Sequence, residues 1–191
     1  MLFVFEGVDG TGKTTIAKEV SKMTNIPYYN CFHDNHRAFV YDGLLRGVDE
    51  SYADFVLVDL VRETGMNIIL DRSYPSGWVY TQAAPLLYQP PMDRMVSSAY
   101  PGCDMTSATR WESAFCKVGV MFWIRTSIET ARLRTRKEFT YDQIKEINRL
   151  YNEYFNLHNR FDLFCFNNNE TMGWFLIAQR CADLINVYLG G

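Results

Sequence analysis

Residues 7–15 read Gly7-Val8-Asp9-Gly10-Thr11-Gly12-Lys13-Thr14-Thr15, which satisfies the pattern G-x-x-x-x-G-K-[ST]. No other stretch of the chain narrows the possible folds so far. The pattern has a physical basis when a strand runs into it and a helix runs out of it. The backbone N–H groups of the turn then point inward around an anion, and the helix N-terminus adds its partial positive charge. That context is present: residues 2–5 are a short apolar run, and residues 13–23 carry Ile16, Val20 and Met23 at helical spacing. Such a cradle takes the phosphates of a nucleoside triphosphate, with Lys13 reaching the β- and γ-phosphates and the Thr14 hydroxyl ligating Mg²⁺. ATP and Mg²⁺ are therefore the expected ligands of residues 7–15.

The remainder of the chain alternates strand and helix signals. Residues 27–32 and 67–70 read as strands, the second following a helical stretch at 52–64 that Gly65 stops. Residues 118–124 form a fourth strand and residues 128–136 a helix. Thr140 and Gln143 then have the spacing of a capping box, opening a long helix with Ile144, Ile147, Leu150, Tyr151 and Phe155 on one face. A fifth strand at 161–166 and an amphipathic helix at 172–189 close the chain. Strands alternating with helices imply an α/β fold with a five-stranded parallel sheet covered on both faces, in a single domain spanning 1–191. Residues 89–109, with Pro90, Pro91, Pro101 and Gly102, lack clean periodicity and read as irregular structure or a short helix near the cleft.

Bulk properties exclude several functions. A net charge of −3 provides no basic field for tracking a nucleic acid backbone. The five cysteines are odd in number, scattered and without a C-x-x-C pair, which argues against a disulfide framework or a zinc site and for reduced thiols in a cytoplasmic protein. No apolar run approaches the ~18 residues of a membrane span. The aromatic residues Trp78, Tyr80, Tyr100, Trp111 and Phe115 include candidates for stacking on a base, although large rings are more often core.

Two further clusters carry chemistry. Asp71 closes the third strand, where an open parallel sheet places its ligand crevice, and a carboxylate there can hold Mg²⁺; Arg72 beside it suits a phosphate clamp. Arg132, Arg134 and Arg136, with Lys137, follow the fourth strand. Their spacing of two spreads them round a helix, so one or two of them can close over a transferring phosphoryl group while the others face solvent.

Together these residues resemble the thymidylate kinase family of nucleoside monophosphate kinases. The stretch from Phe5 to Thr15 is similar to that family's phosphate loop, and the resemblance implies that Asp9 lies near the acceptor sugar. Asp71-Arg72-Ser73, followed by Ser76 and Tyr80, resembles the family's Asp-Arg-Tyr-x-x-Ser signature with its following aromatic, with Ser73 in place of the usual Tyr. The resemblance implies a three-layer P-loop kinase fold, a lid around 132–141 that carries the arginines, acceptor contacts from Arg72, Ser76 and Tyr80, and a homodimer. Departures from the pattern point to a neighbouring family. Where thymidylate kinases hold the acceptor phosphate this chain has His33-Asp34-Asn35-His36-Arg37, leaving Arg37 as the substitute. Deoxynucleoside kinases resemble it differently, with Glu-Arg-Ser near Asp71-Arg72-Ser73 and a carboxylate general base where this chain has Asp34.

The expected activity is transfer of the γ-phosphoryl group of ATP to a deoxynucleoside monophosphate, with Lys13, Asp9, Asp34, Arg72 and the lid arginines as catalytic candidates. Two alternatives stay open: a kinase acting on the hydroxyl of a nucleoside, and an ATPase switch without an acceptor. A hydroxyl needs a base such as Asp34 more than an already anionic phosphate does.

Overall fold

The computed structural model describes residues 1–30, 53–87, 105–135, 138–158, 160–169 and 173–191. Strands β1 (Leu2–Glu6), β2 (Tyr28–Asn30), β3 (Ile68–Asp71), β4 (Gly119–Arg125) and β5 (Asp162–Asn167) form one sheet in the order β2-β3-β1-β4-β5. Every pairing is parallel, with Phe5 opposite Asp71 on one side of β1 and Phe122 on the other.

Strand alternation divides the core into two layers. Phe3, Phe5, Ile69, Val120, Phe122 and Ile124 face α1 (Lys13–Thr24) and α7 (Trp174–Tyr188). Leu2, Val4, Ile68, Leu70, Met121 and Trp123 face the opposite layer, built by α2 (Ala53–Thr64), α3 (Tyr74–Leu87), α4 (Met105–Phe115) and α6 (Tyr141–Leu157). A short helix, α5 (Ile128–Arg134), follows β4 and is capped by Ser127, whose hydroxyl accepts from the Thr130 amide. The parity of a strand also decides where its last residue goes. Glu6 follows Leu2 and Val4 toward α3 and α6, whereas Asp71 follows Ile69 toward α1.

The capping box at Thr140 and Gln143 forms, and Ile144, Ile147, Leu150, Tyr151 and Phe155 are buried along α6. Gly65 ends α2 with a φ of 69°, its amide bonded to the Val61 carbonyl. Two helices go beyond the sequence expectation, which assigned no element to residues 74–87 and irregular structure or a short helix to 89–109. Residues 74–87 gave no helical signal because α3 packs against both the sheet and α6, and its near-continuous apolar surface, with Pro85 inside it, leaves no polar face to mark a period. Residues 105–109, read with the irregular stretch before them, begin α4. Its Ala108, Trp111 and Phe115 recur at helical spacing in the core.

Trp111 and Phe115 stack with ring centroids 4.5 Å apart, and Trp78 packs on Tyr154, so these three candidate base-stacking rings are core. Tyr100 lies outside the described residues. Cys116, Cys165 and Cys181 are free thiols, and Cys31 and Cys103 are outside the described residues. Among the described residues no helix is long and apolar enough to cross a membrane.

Candidate active site

At the carboxyl end of β1 the chain enters residues 7–12, which lie against the carboxyl end of β4 and the last turn of α5. Gly10 has a φ of 82° and its Cα lies so close to the Ala131 carbonyl that any side chain would collide with it. Gly12, with a φ of 86°, is the N-cap of α1, and a Cβ there would come within 2.6 Å of the Asn168 amide nitrogen. Asn168 in turn donates to the Thr11 carbonyl at 2.7 Å, tying the loop after β5 to the turn. Thr11 bonds the Val8 carbonyl through both its hydroxyl and its amide, and Gly7 packs on Ile124. Among the described residues no side chain caps α1, and no acidic residue stands in its first turn, so its leading N–H groups are open to an anion. Thr15 is exposed at that turn.

Lys13 is 4% exposed, with its ammonium 3.4 Å from Asp9 Oδ1. Burial lowers its pKa, the neighbouring Arg72 adds to the effect, and Asp9, Asp71 and Glu6 oppose it. A polyphosphate tail would supply the charge this ammonium lacks.

Asp71 is 1% exposed at the end of β3. Its Oδ2 accepts three donors: the Thr14 hydroxyl at 2.5 Å, the Tyr28 hydroxyl at 3.0 Å and the Asn30 amide at 3.3 Å. Its Oδ1 is buried and has no hydrogen-bond partner among the described residues. An anionic oxygen held this way beside a threonine hydroxyl fits a hard divalent cation, bound directly or through water, so Thr14 and Asp71 would hold Mg²⁺. Tyr28 and Asn30 were missed in the sequence. They sit on a three-residue strand, and only the β2–β3 register, which sets Tyr28 opposite Ile69 and Asn30 opposite Asp71, aims them at this carboxylate.

Arg72 takes a left-handed backbone, φ 72°, which costs a non-glycine residue on the order of 1–3 kcal/mol. Its amide donates to the Phe5 carbonyl at 2.9 Å. Turned inward by that backbone, its guanidinium forms an ion pair with Asp9 and donates to Ser76 Oγ at 3.0 Å, Tyr151 Oη at 3.2 Å and Tyr80 Oη at 3.4 Å, while lying over the Tyr80 ring. The Tyr80 hydroxyl donates to Asp9 Oδ2 at 2.7 Å. Burial pushes the Tyr80 hydroxyl up, with Asp9 adding to the shift, so it stays protonated and keeps donating.

Burial alone would raise the Asp9 carboxyl, but Arg72, then Lys13 and the Tyr80 hydroxyl, hold it well below the usual carboxylate range. Its folded pKa is depressed, so its contribution to stability is present above the unfolded value of about 3.9 and is lost as pH falls below that toward the folded value. Asp9→Asn should therefore be less stable than the parent at neutral pH, and the difference should shrink as pH drops from 5 toward 2.5. Urea midpoints measured across that range check this, and a constant difference would contradict it.

Among the lid candidates, Arg134 reaches the phosphate loop, donating to the Gly10 carbonyl at 3.4 Å, whereas Arg132 points into solvent from the same helix. Asp34, Arg37, Arg136 and Lys137 lie outside the described residues. Ser76, read as an acceptor contact, is fully buried and bonds Glu6 Oε2 at 2.5 Å.

The sequence matches no protein-family profile and no curated protein. Solved structures do match the fold. A Bacillus subtilis protein, YorR, in complex with phosphorylated GDP superposes with a TM-score of 0.69 at 16% identity, covering 100% of this chain and 99% of that one. Deoxyadenosine kinase from M. mycoides with bound dCTP gives 0.54 at 19% identity over 100% and 99% of the two chains. Thymidylate kinase from Candida albicans gives 0.59 at 17% identity, covering 98% of this chain and 91% of that one. The chain has the three-layer α/β fold of the P-loop kinases, and its structural neighbours include both kinds of kinase that the sequence resembles.

Proposed function

We propose that this chain is a kinase that transfers the γ-phosphoryl group of ATP to a deoxynucleoside monophosphate. The observation that carries the reading is the convergence, at the carboxyl ends of β1 and β3, of a helix N-terminus, the buried Lys13 ammonium and an Asp71 oxygen beside Thr14, with neither a side-chain cap on the helix nor a partner for that oxygen among the described residues. These are the parts needed to bind a triphosphate and hold its metal, and phosphoryl transfer demands little of a protein beyond positioning and charge neutralisation. Thr14 and Asp71 would hold Mg²⁺, which when bound would supply neutralisation of the triphosphate charge. Residues 7–15 hold the donor, and Lys13 stabilises charge developing on the transferring group. Asp9, fixed by Arg72 and Tyr80, orients the acceptor sugar, and Arg134 closes from the lid at 132–141. Residues 1–191 act in this reading as one kinase domain, cytoplasmic and homodimeric, with Arg37 completing the acceptor-phosphate site.

One observation favours a second reading, in which the acceptor is a nucleoside hydroxyl. The Arg72 guanidinium already bonds Asp9, Ser76, Tyr80 and Tyr151, so it is committed to the protein before any acceptor phosphate arrives. In that case Asp34 would be the general base. A coupled ADP-release assay over deoxynucleosides, their monophosphates and an acceptor-free control separates the readings. We expect at least one monophosphate to turn over about tenfold faster than any nucleoside. The reverse order would make the chain a nucleoside kinase, and equal hydrolysis without acceptor would make it an ATPase.

A further inference from the structure

Glu6 has no part in the phosphate-loop pattern, yet it is the most completely enclosed carboxylate among the described residues, with 0% exposure at the end of β1. Its two oxygens do different work. Oε1 accepts the Ser73 amide at 2.7 Å and the Ser76 amide at 3.4 Å, and so caps the first turn of α3 from a distant strand. Oε2 accepts the Ser76 hydroxyl at 2.5 Å and lies 3.1 Å from the Tyr151 hydroxyl. Those two hydroxyls are 2.6 Å apart, and the Arg72 guanidinium donates to both of them through one nitrogen.

The proton count fixes a direction. Arg72 can only donate, so Ser76 and Tyr151 must turn their lone pairs toward it and their protons elsewhere. Ser76 has Glu6 Oε2 as its acceptor; Tyr151 has Glu6 Oε2 or Ser76 Oγ. Either way both hydroxyl protons run toward Glu6, which is the terminal acceptor of the set. Burial raises the Glu6 carboxyl, and Arg72, Ser76, the Ser73 amide and Lys13 act against that rise. Burial also keeps the Tyr151 hydroxyl protonated. Arg72 is thus held between two carboxylates, Asp9 directly and Glu6 through two hydroxyls.

We propose that Glu6 is a positioning residue for phosphoryl transfer: through the Ser76 and Tyr151 hydroxyls it fixes the Arg72 guanidinium, and through the Ser73 amide it holds the left-handed turn from which Arg72 projects. The catalytic half of this inference rests on the kinase reading above; the structural half, that Glu6 sets Arg72, does not. Glu6→Gln preserves volume but replaces the terminal acceptor with a group that also donates, so one hydroxyl must turn a proton toward Arg72 or leave a buried donor unmet. A displacement of the order of 1 Å in a positioning group costs on the order of 10²-fold in rate.

The test has two arms. In the first, arginine side-chain NMR on the free 191-residue chain follows the Arg72 guanidinium. The parent should show separate, slowly exchanging Nη signals, and Glu6→Gln should merge them, with Tyr151→Phe giving an intermediate result and serving as the second variant if Glu6→Gln folds poorly. Unchanged Arg72 signals in both variants would overturn the proposal. In the second arm, kcat should fall about tenfold to a hundredfold in Glu6→Gln with the KM for ATP little changed, and in an Arg72→Lys background the same substitution should cost nothing more. An equal further loss in that background would mean that Glu6 acts only as a helix cap and would overturn the positioning role. A parent that transfers no phosphate to any acceptor would refute the kinase reading and with it the catalytic half, while the NMR arm would still decide whether Glu6 sets Arg72.

Discussion

Lys13→Ala should reduce phosphoryl transfer on the order of 10³-fold while leaving the protein folded. The two halves of that expectation come from the same geometry. The Lys13 ammonium is nearly buried and makes one long contact, 3.4 Å, to Asp9 among the described residues, and Asp9 keeps its ion pair with Arg72 when the lysine is gone. Burial already disfavours this cation, and its removal leaves Asp9 paired with Arg72 and Tyr80, so the fold should survive the substitution. The triphosphate, by contrast, loses a fixed positive charge in a water-poor site, where charge is worth far more than in water. Initial rates at saturating ATP, with thermal unfolding of the same sample, check both halves. Transfer at near the parental rate by a folded Lys13→Ala protein would refute the assignment of residues 7–15 as the donor site.

The second large effect belongs to Asp71. Asp71→Asn keeps the shape of the side chain and one carbonyl oxygen, so Thr14, Tyr28 and Asn30 still find an acceptor and the fold should survive. The oxygen that has no partner among the described residues of the parent becomes an NH₂ group. A donor directed at a magnesium site opposes the ion instead of holding it, so activity should fall on the order of 10²-fold or more, and the Mg²⁺ concentration for half-maximal rate should rise by a comparable factor. A titration of rate against Mg²⁺ at fixed ATP gives both numbers. Parental magnesium dependence in the variant would remove Asp71 from the metal site.

The donor half of the site was legible in the sequence because it is local. Gly10, Gly12, Lys13 and Thr14 lie within five positions, between an apolar run and a helical period, and the backbone of such a stretch has few ways to close. Asp71 was legible from its position at the end of a strand. The arginines after β4 were legible as a group, but that Arg134 and not Arg132 reaches the Gly10 carbonyl depends on how α5 is rotated against the turn, and a spacing of two does not specify that rotation. Helix α3 was invisible for a different reason: the signal that marks a helix is the contrast between a polar and an apolar face, and in α3 even the exposed part carries Pro85 and Leu86.

Local sequence, then, determined the parallel α/β order and the phosphate turn, since both follow from short-range periodicity and from the few residues that tolerate a left-handed backbone. Tertiary structure alone decided the rest of the site. Glu6, Arg72, Ser76 and Tyr151 are separated by up to 145 positions, and they meet because strand parity sends Glu6 toward α3 and α6 while the register of β1 with β3 brings residues 5 and 71 side by side. A buried carboxylate is tolerable only where several donors converge on it, and whether they converge depends on packing between distant segments, which no window of the sequence contains.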